Sequence, residues 1–172
     1  CTTMARQIFK DYKGKQLLIV IMTPGGFQFG NYINEAMLDF RDEIQPKSAE
    51  EDVRVEYLFK KLDQFVNHGD DGPEHAKCNE KPEDYAGKNV LVVKNIYDTG
   101  ASIKKLIEVI ESYKPVSLKT AFLVHKRNVK NLSFAYFGDY IGFFCPNLFE
   151  IGCGMDFNEY FRDLRHICIS NE

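Results

Sequence analysis

Apolar and polar positions along this chain follow two rhythms. Residues 16–22 (QLLIVIM) are almost all apolar and mostly branched, which predicts a strand covered on both faces, as in a parallel sheet. Thr23, Pro24, Gly25 and Gly26 break the run. Phe29, Ile33, Ala36 and Met37 then recur at mixed three- and four-residue spacing, which predicts a helix. Val53, Val55, Tyr57 and Phe59 alternate with Arg54, Glu56 and Leu58, a strand pattern. Residues 60–88 shift to Asp, Glu, Asn, His, Gly and Pro, which predicts a long mobile loop. Residues 90–93 form a second apolar strand. Ile103, Leu106, Ile107 and Ile110 mark one face of an amphipathic helix, and Pro115 stops it. Residues 118–124 resume as a strand, and residues 140–144 and 167–169 are shorter strand candidates. Strands alternating with helices predict a parallel α/β sheet, and no internal repeat interrupts the pattern.

Size and charge narrow the classes. A chain of 172 residues is expected to form one domain, 1–172. With 44% hydrophobic and 27% charged residues it reads as an ordinary globular protein. The net charge of −3 gives no electrostatic reason to bind nucleic acid or an anionic membrane. No apolar run approaches ~20 residues, and no signal-peptide pattern opens the chain. Cys1, Cys78, Cys145, Cys153 and Cys168 contain no CxxC pair, so free thiols in a reducing, cytoplasmic compartment are expected. Because the chain opens on Cys1 rather than Met, further N-terminal sequence is expected before it.

The chemistry concentrates between the second apolar strand and its helix, in VLVVKNIYDTGASI. Asp98-Thr99-Gly100 fits three readings. It could be the active loop of an aspartic protease, which needs two such loops sharing a proton; one copy is present. It could be a phosphate cradle: Gly100 lets the backbone turn, the helix N-terminus offers N–H groups, and Thr99 and Ser102 add hydroxyls. It could be a plain helix cap made by Asp98 and Thr99.

Several further stretches keep the order and spacing of one family. They are the loop itself, LVHKRN from Leu123, DYIGFFCP from Asp139, and GCGMDFNEYFRDLRHICISNE from Gly152. On them the chain resembles the type I phosphoribosyltransferases, and among these the hypoxanthine-guanine phosphoribosyltransferases of purine salvage. The resemblance covers essentially everything outside residues 60–88.

It implies an α/β fold with a parallel sheet flanked by helices and a small hood from the terminal segments. It implies transfer of the phosphoribosyl group from phosphoribosyl pyrophosphate to hypoxanthine or guanine, giving IMP or GMP and pyrophosphate. Magnesium (Mg2+) is the implied cofactor, and a homo-oligomer, dimer or tetramer, the implied assembly. Residue by residue, Asp98 would be the acid/base group at the purine N7. Thr99, Gly100, Ala101 and Ser102 would hold the 5′-phosphate. Gly25, Gly26 and Arg162 would hold pyrophosphate. Lys126 would donate to the 6-oxygen of the base, Tyr140 would stack on its ring, and Ile141 would bond it through the backbone. Asp156 would ligate the metal.

The chain also departs from that pattern. Lys94 and Asn95 stand where the resemblance implies a Glu-Asp pair at the ribose. Pro24 stands where a Lys is usual. Lys61 is followed by Leu62 and Asp63 rather than by the Ser-Tyr pair that helps close the site. These changes make a second class of reading necessary: a non-catalytic nucleotide-binding or dimerisation protein that kept the fold.

Overall fold

A computed structural model describes residues 1–61, 81–127 and 137–170, without the side chains of Ala101 and Ser102. In chain order the elements are α1 (Thr2–Tyr12), β1 (Gln16–Thr23), α2 (Gly26–Ile44), β2 (Arg54–Lys61) and a one-turn helix α3 (Pro82–Tyr85). There follow β3 (Asn89–Tyr97), α4 (Ala101–Ser112), β4 (Ser117–Arg127), β5 (Tyr140–Pro146), β6 (Glu150–Ile151) and β7 (Cys168–Ile169). Most of the expected loop at 60–88, including Leu62 and Asp63, lies outside the described residues, as does Cys78. The four cysteines that are described form no disulfide.

Five strands make one sheet in the order β2-β1-β3-β4-β5, with every neighbouring pair parallel. The apolar run of β1 lies between β2 and β3 and is buried on both faces because helices cover both. Leu17, Ile19 and Ile21 join Ile8 and Phe9 of α1 and Phe29 and Ile33 of α2. Leu18, Val20 and Met22 face the other way and join Ile103, Leu106 and Ile110 of α4. The same alternation splits β3: Leu91 and Val93 belong to the first cluster, Val90 and Val92 to the second. Each such large side chain contributes roughly 1.5–3 kcal/mol when fully buried.

One element runs past its expected end. β3 continues through Lys94, Asn95 and Ile96 to Tyr97, because pairing with β4 continues: Lys94 lies beside Phe122 and Tyr97 beside His125. Lys94 and Asn95 are therefore strand residues, and Asn95 is buried. Backbone pairing here overrides the polar composition.

The hood is a two-stranded antiparallel ribbon, with Glu150 opposite Ile169 and Ile151 opposite Cys168. It is closed by backbone bonds from Cys153 N–H to the Leu164 carbonyl and from Gly154 N–H to the Arg162 carbonyl. It comes from C-terminal residues alone among those described. The N-terminal segment instead folds into α1 and enters the core. Among the described residues no helix is long and apolar enough to cross a membrane.

Candidate functional site

In an open parallel sheet, ligands lie beyond the carboxyl ends of the strands where the strand order reverses. That point here is between β1 and β3. An open cleft of about 630 Å3 sits there. The end of β1 supplies Met22, Thr23, Pro24 and Gly25; the end of β3 supplies Lys94, Asn95, Ile96 and then Asp98. Lys126 reaches it from β4, and the hood closes it with Phe149, Glu150, Asp156, Phe157 and Arg162, among others.

The turn after β1 is tightly built. The Thr23–Pro24 bond is cis. A side chain at Gly25 would come within 2.8 Å of the Asn95 amide, and one at Gly26 within 2.9 Å of the Val93 carbonyl oxygen. From the hood, Gly154 (φ +86°) lies so close that a Cβ would sit 1.9 Å from the Gly25 carbonyl oxygen. Only glycine permits that approach in that conformation. At the other helix start, Gly100 has φ +81°, and a Cβ there would fall 2.3 Å from the Tyr97 hydroxyl. α2 begins after Gly25 and α4 after Gly100, and neither helix receives a side-chain cap bond.

Three cations and three anions line the cleft: Lys94, Lys126 and Arg162 against Asp98, Glu150 and Asp156. Two pairs are closed. The Lys126 ammonium lies 2.8 Å from Glu150 Oε2, with both side chains buried. That contact lacks hydrogen-bond geometry, so Oε2 is held by charge alone. Glu150 Oε1 accepts a bond from Cys145 Sγ at 3.0 Å. Burial, then the Glu150 contact, pushes the Cys145 thiol up to about 12, so it stays protonated. In the hood, Arg162 Nη1 pairs with Asp156 Oδ1 at 2.8 Å and also donates to the Gly154 carbonyl. Asp156 Oδ2 accepts the Glu159 backbone N–H at 2.9 Å.

Lys94 is different. Its ammonium forms no ion pair among the described residues, although Asp98 follows four positions later on the chain. Burial lowers its pKa to about 8, and the charge of Asp98 opposes part of that fall.

These placements settle which expected site residues converge. Gly25, Lys94, Asn95, Asp98, Lys126, Asp156 and Arg162 all line the cleft. Thr99 and Gly100 follow Asp98 into α4 without lining it. Tyr140 and Ile141 do not come near it, which corrects their assignment to the purine. They open β5, where Tyr140 pairs with Ala121, while Lys126 pairs with Cys145 five residues further along. At ~3.3 Å per residue that is roughly 17 Å from the strand ends. Tyr140 instead donates to Asp11 on α1 at 2.6 Å. Of the two aromatic rings lining the cleft, Phe149 and Phe157, the first is followed by Glu150. Sequence reasoning passed over Phe149 and Glu150. The available signal was positional: residues after the end of β5 reach the cleft, and those at its start do not.

Magnesium needs several hard oxygen ligands in near-octahedral array. Among the described residues no three Asp, Glu, His or Cys side chains converge to hold an ion. Asp156 is committed to Arg162 and to a backbone amide, and Lys94 brings a positive charge to the same cleft. The residues present do not fit a protein-held magnesium ion.

Comparison with known proteins gives a consistent picture. A family model described as the phosphoribosyl transferase domain matches residues 1–158. The chain is 34% identical over 169 residues to the human phosphoribosyltransferase domain-containing protein 1, covering 98% of this chain and 72% of that protein. It is 30% identical over 171 residues to human hypoxanthine-guanine phosphoribosyltransferase, covering 98% and 74%. The crystal structure of the Schistosoma mansoni hypoxanthine-guanine phosphoribosyltransferase in complex with IMP superposes with a TM-score of 0.74 at 27% identity, covering 98% of this chain and 73% of that one.

Proposed function

Because the chain belongs to the phosphoribosyl transferase domain family, as a divergent relative of the hypoxanthine-guanine phosphoribosyltransferases, we propose that its cleft takes a purine nucleotide and joins purine to phosphoribose. The single observation that carries this reading is the convergence of Gly25, Asp98 and Lys126 at the switch point of the sheet. There a glycine turn, a carboxylate leading into an uncapped helix and a buried ammonium meet in one cleft.

The proposed step has phosphoribosyl pyrophosphate as donor and hypoxanthine or guanine as acceptor. N9 of the base bonds to the anomeric carbon as the bond from that carbon to pyrophosphate breaks. Pyrophosphate leaves with the electron pair, and Asp98 takes the proton from N7, yielding IMP or GMP. The amides at the start of α4 hold the 5′-phosphate, and those at the start of α2 hold pyrophosphate. Lys126 donates to the 6-oxygen while Phe149 supplies the ring face. No step is assigned to magnesium.

Specific features favour a second reading, in which the cleft binds nucleotide without turnover. Lys94 and Asn95 remove negative charge at the ribose, and the two closed ion pairs occupy Lys126 and Arg162. A transfer assay with radiolabelled hypoxanthine and guanine separates them. Labelled IMP or GMP supports transfer. GMP binding without product supports the second reading.

A further inference from the structure

We propose that Lys94 is a built-in cation for the diphosphate, so that pyrophosphate binding in this cleft does not need a divalent metal. This deepens the reading above and rests on it for the class of ligand, a diphosphate ester or free pyrophosphate.

Three independent features of the cleft call for an anion. The Lys94 side chain is half-buried in the cleft, and its ammonium forms no ion pair among the described residues. Asp98 offsets only part of the cost of partly desolvating that charge, and a ligand of opposite sign removes more of it. The turn from β1 into α2 lies directly against Lys94: a Cβ at Gly26 would sit 3.4 Å from its Cα. α2 runs for 19 residues from that turn with no side-chain cap, so the positive end of its dipole lies at the same turn, where the Phe27 N–H is taken by the Pro24 carbonyl. The remaining cations are committed, Lys126 to Glu150 and Arg162 to Asp156. Lys94 is the cation left for the ligand.

The same arrangement disfavours a metal. A magnesium ion beside the turn would face an ammonium where it needs oxygen ligands. Asn95 is pinned beneath Gly25 and carries no charge. A lysine supplies one positive charge and up to three donors, enough to meet a phosphate as a point charge.

The test is calorimetric titration of inorganic pyrophosphate into the full chain, once with EDTA and once with excess magnesium chloride, with GMP titrated in parallel. Wild-type protein is expected to bind pyrophosphate in EDTA, with an affinity that magnesium changes less than about threefold. Lys94→Gln is expected to weaken binding in EDTA by about 10- to 100-fold, the range of one charge-assisted hydrogen bond. Lys94→Glu is expected to bind pyrophosphate only with magnesium. Wild-type protein that binds pyrophosphate only with magnesium, or not at all, overturns the proposal without any variant. A folded Lys94→Gln that binds in EDTA as wild type does also overturns it. Failure of the purine reading looks different: GMP shows no heat in either buffer, whatever pyrophosphate does.

Discussion

The Lys126 ammonium lies 2.8 Å from Glu150 Oε2, and the two side chains are 10% and 3% exposed. Residues 24 positions apart thus neutralise each other inside the cleft. Breaking such a pair from one side leaves a buried charge. Glu150→Ala is expected to cost about 3–5 kcal/mol in urea unfolding. The double change Lys126→Met with Glu150→Leu should recover most of that loss, since it removes both charges at similar volume. A single-variant loss below about 1 kcal/mol would mean that water already screens the pair.

On the proposed reading the pair also bears on base recognition. A 6-oxo purine must share the ammonium with Glu150. Lys126→Ala should weaken IMP and GMP binding while changing AMP binding little, because the 6-amino group of adenine is a donor. Glu150→Val leaves Lys126 to the base alone and should tighten GMP by up to about tenfold. Calorimetry at a temperature well below unfolding reads both effects. Equal losses for the three nucleotides in Lys126→Ala would make Lys126 a general electrostatic contact.

Gly100 begins α4 with φ +81° against the Tyr97 hydroxyl. Gly100→Val adds a branched side chain to a left-handed position, which alone costs roughly 1–2 kcal/mol, and it overlaps the tyrosine as well. Destabilisation beyond that figure is expected, together with loss of the thermal shift that saturating GMP gives wild-type protein. A shift that survives would move the phosphate away from α4.

Lys94 makes two opposite pH responses. Its pKa falls from 10.5 in the open chain to about 8 in the fold. Between those values the unfolded chain binds more protons, so this group's contribution makes stability rise with pH there. Below about 8 both states are charged and the contribution is flat. Anion binding runs the other way and weakens as the ammonium is lost. Asp98, from its own strand's extension, and Lys126, Glu150, Asp156 and Arg162, from β4 and the hood, share the cleft. Pyrophosphate affinity and unfolding, each followed through that range, should show crossed trends in wild type and neither trend in Lys94→Gln.

Lys94→Glu with Asn95→Asp replaces one positive charge by two negative ones at the end of β3. Two charge-assisted bonds to ribose hydroxyls are worth ~3–6 kcal/mol, roughly a hundred- to ten-thousand-fold in rate where the transition state feels them. The double variant should form IMP faster than wild type and only with magnesium. A folded double variant that binds GMP and gains no rate places the defect in Pro24 or in the region after Lys61.

Most of the sheet was legible because its strands are apolar on both faces and α2 and α4 carry a clean helical stripe. β3 read short because Lys94 and Asn95 look like loop residues until the β4 register is known. α1 was missed although Ala5, Ile8, Phe9 and Tyr12 share one buried face. Charged residues interrupt that stripe, and no side-chain cap marks its start. In the site, Asp98, Lys126 and the glycine turn were found because each belongs to a recognisable local stretch. The Lys126–Glu150 and Arg162–Asp156 pairs were not, since a pairing between elements leaves no trace in spacing. Tyr140 misled because aromatic character is visible in a sequence while position along a strand is not.

The meeting of Gly154 with Gly25 is main chain against main chain, with no side chain between. The gap between the two walls of the cleft is therefore set by backbone, not by the residues that colour it. Substitution inside can change sign, donor or ring without changing the aperture. Two of the chain's departures have that form: Lys94 and Asn95 change the charge lining the cleft inside a frame of fixed gauge. Selectivity can drift in such a frame faster than shape, and Gly154 is the residue whose loss would end that freedom.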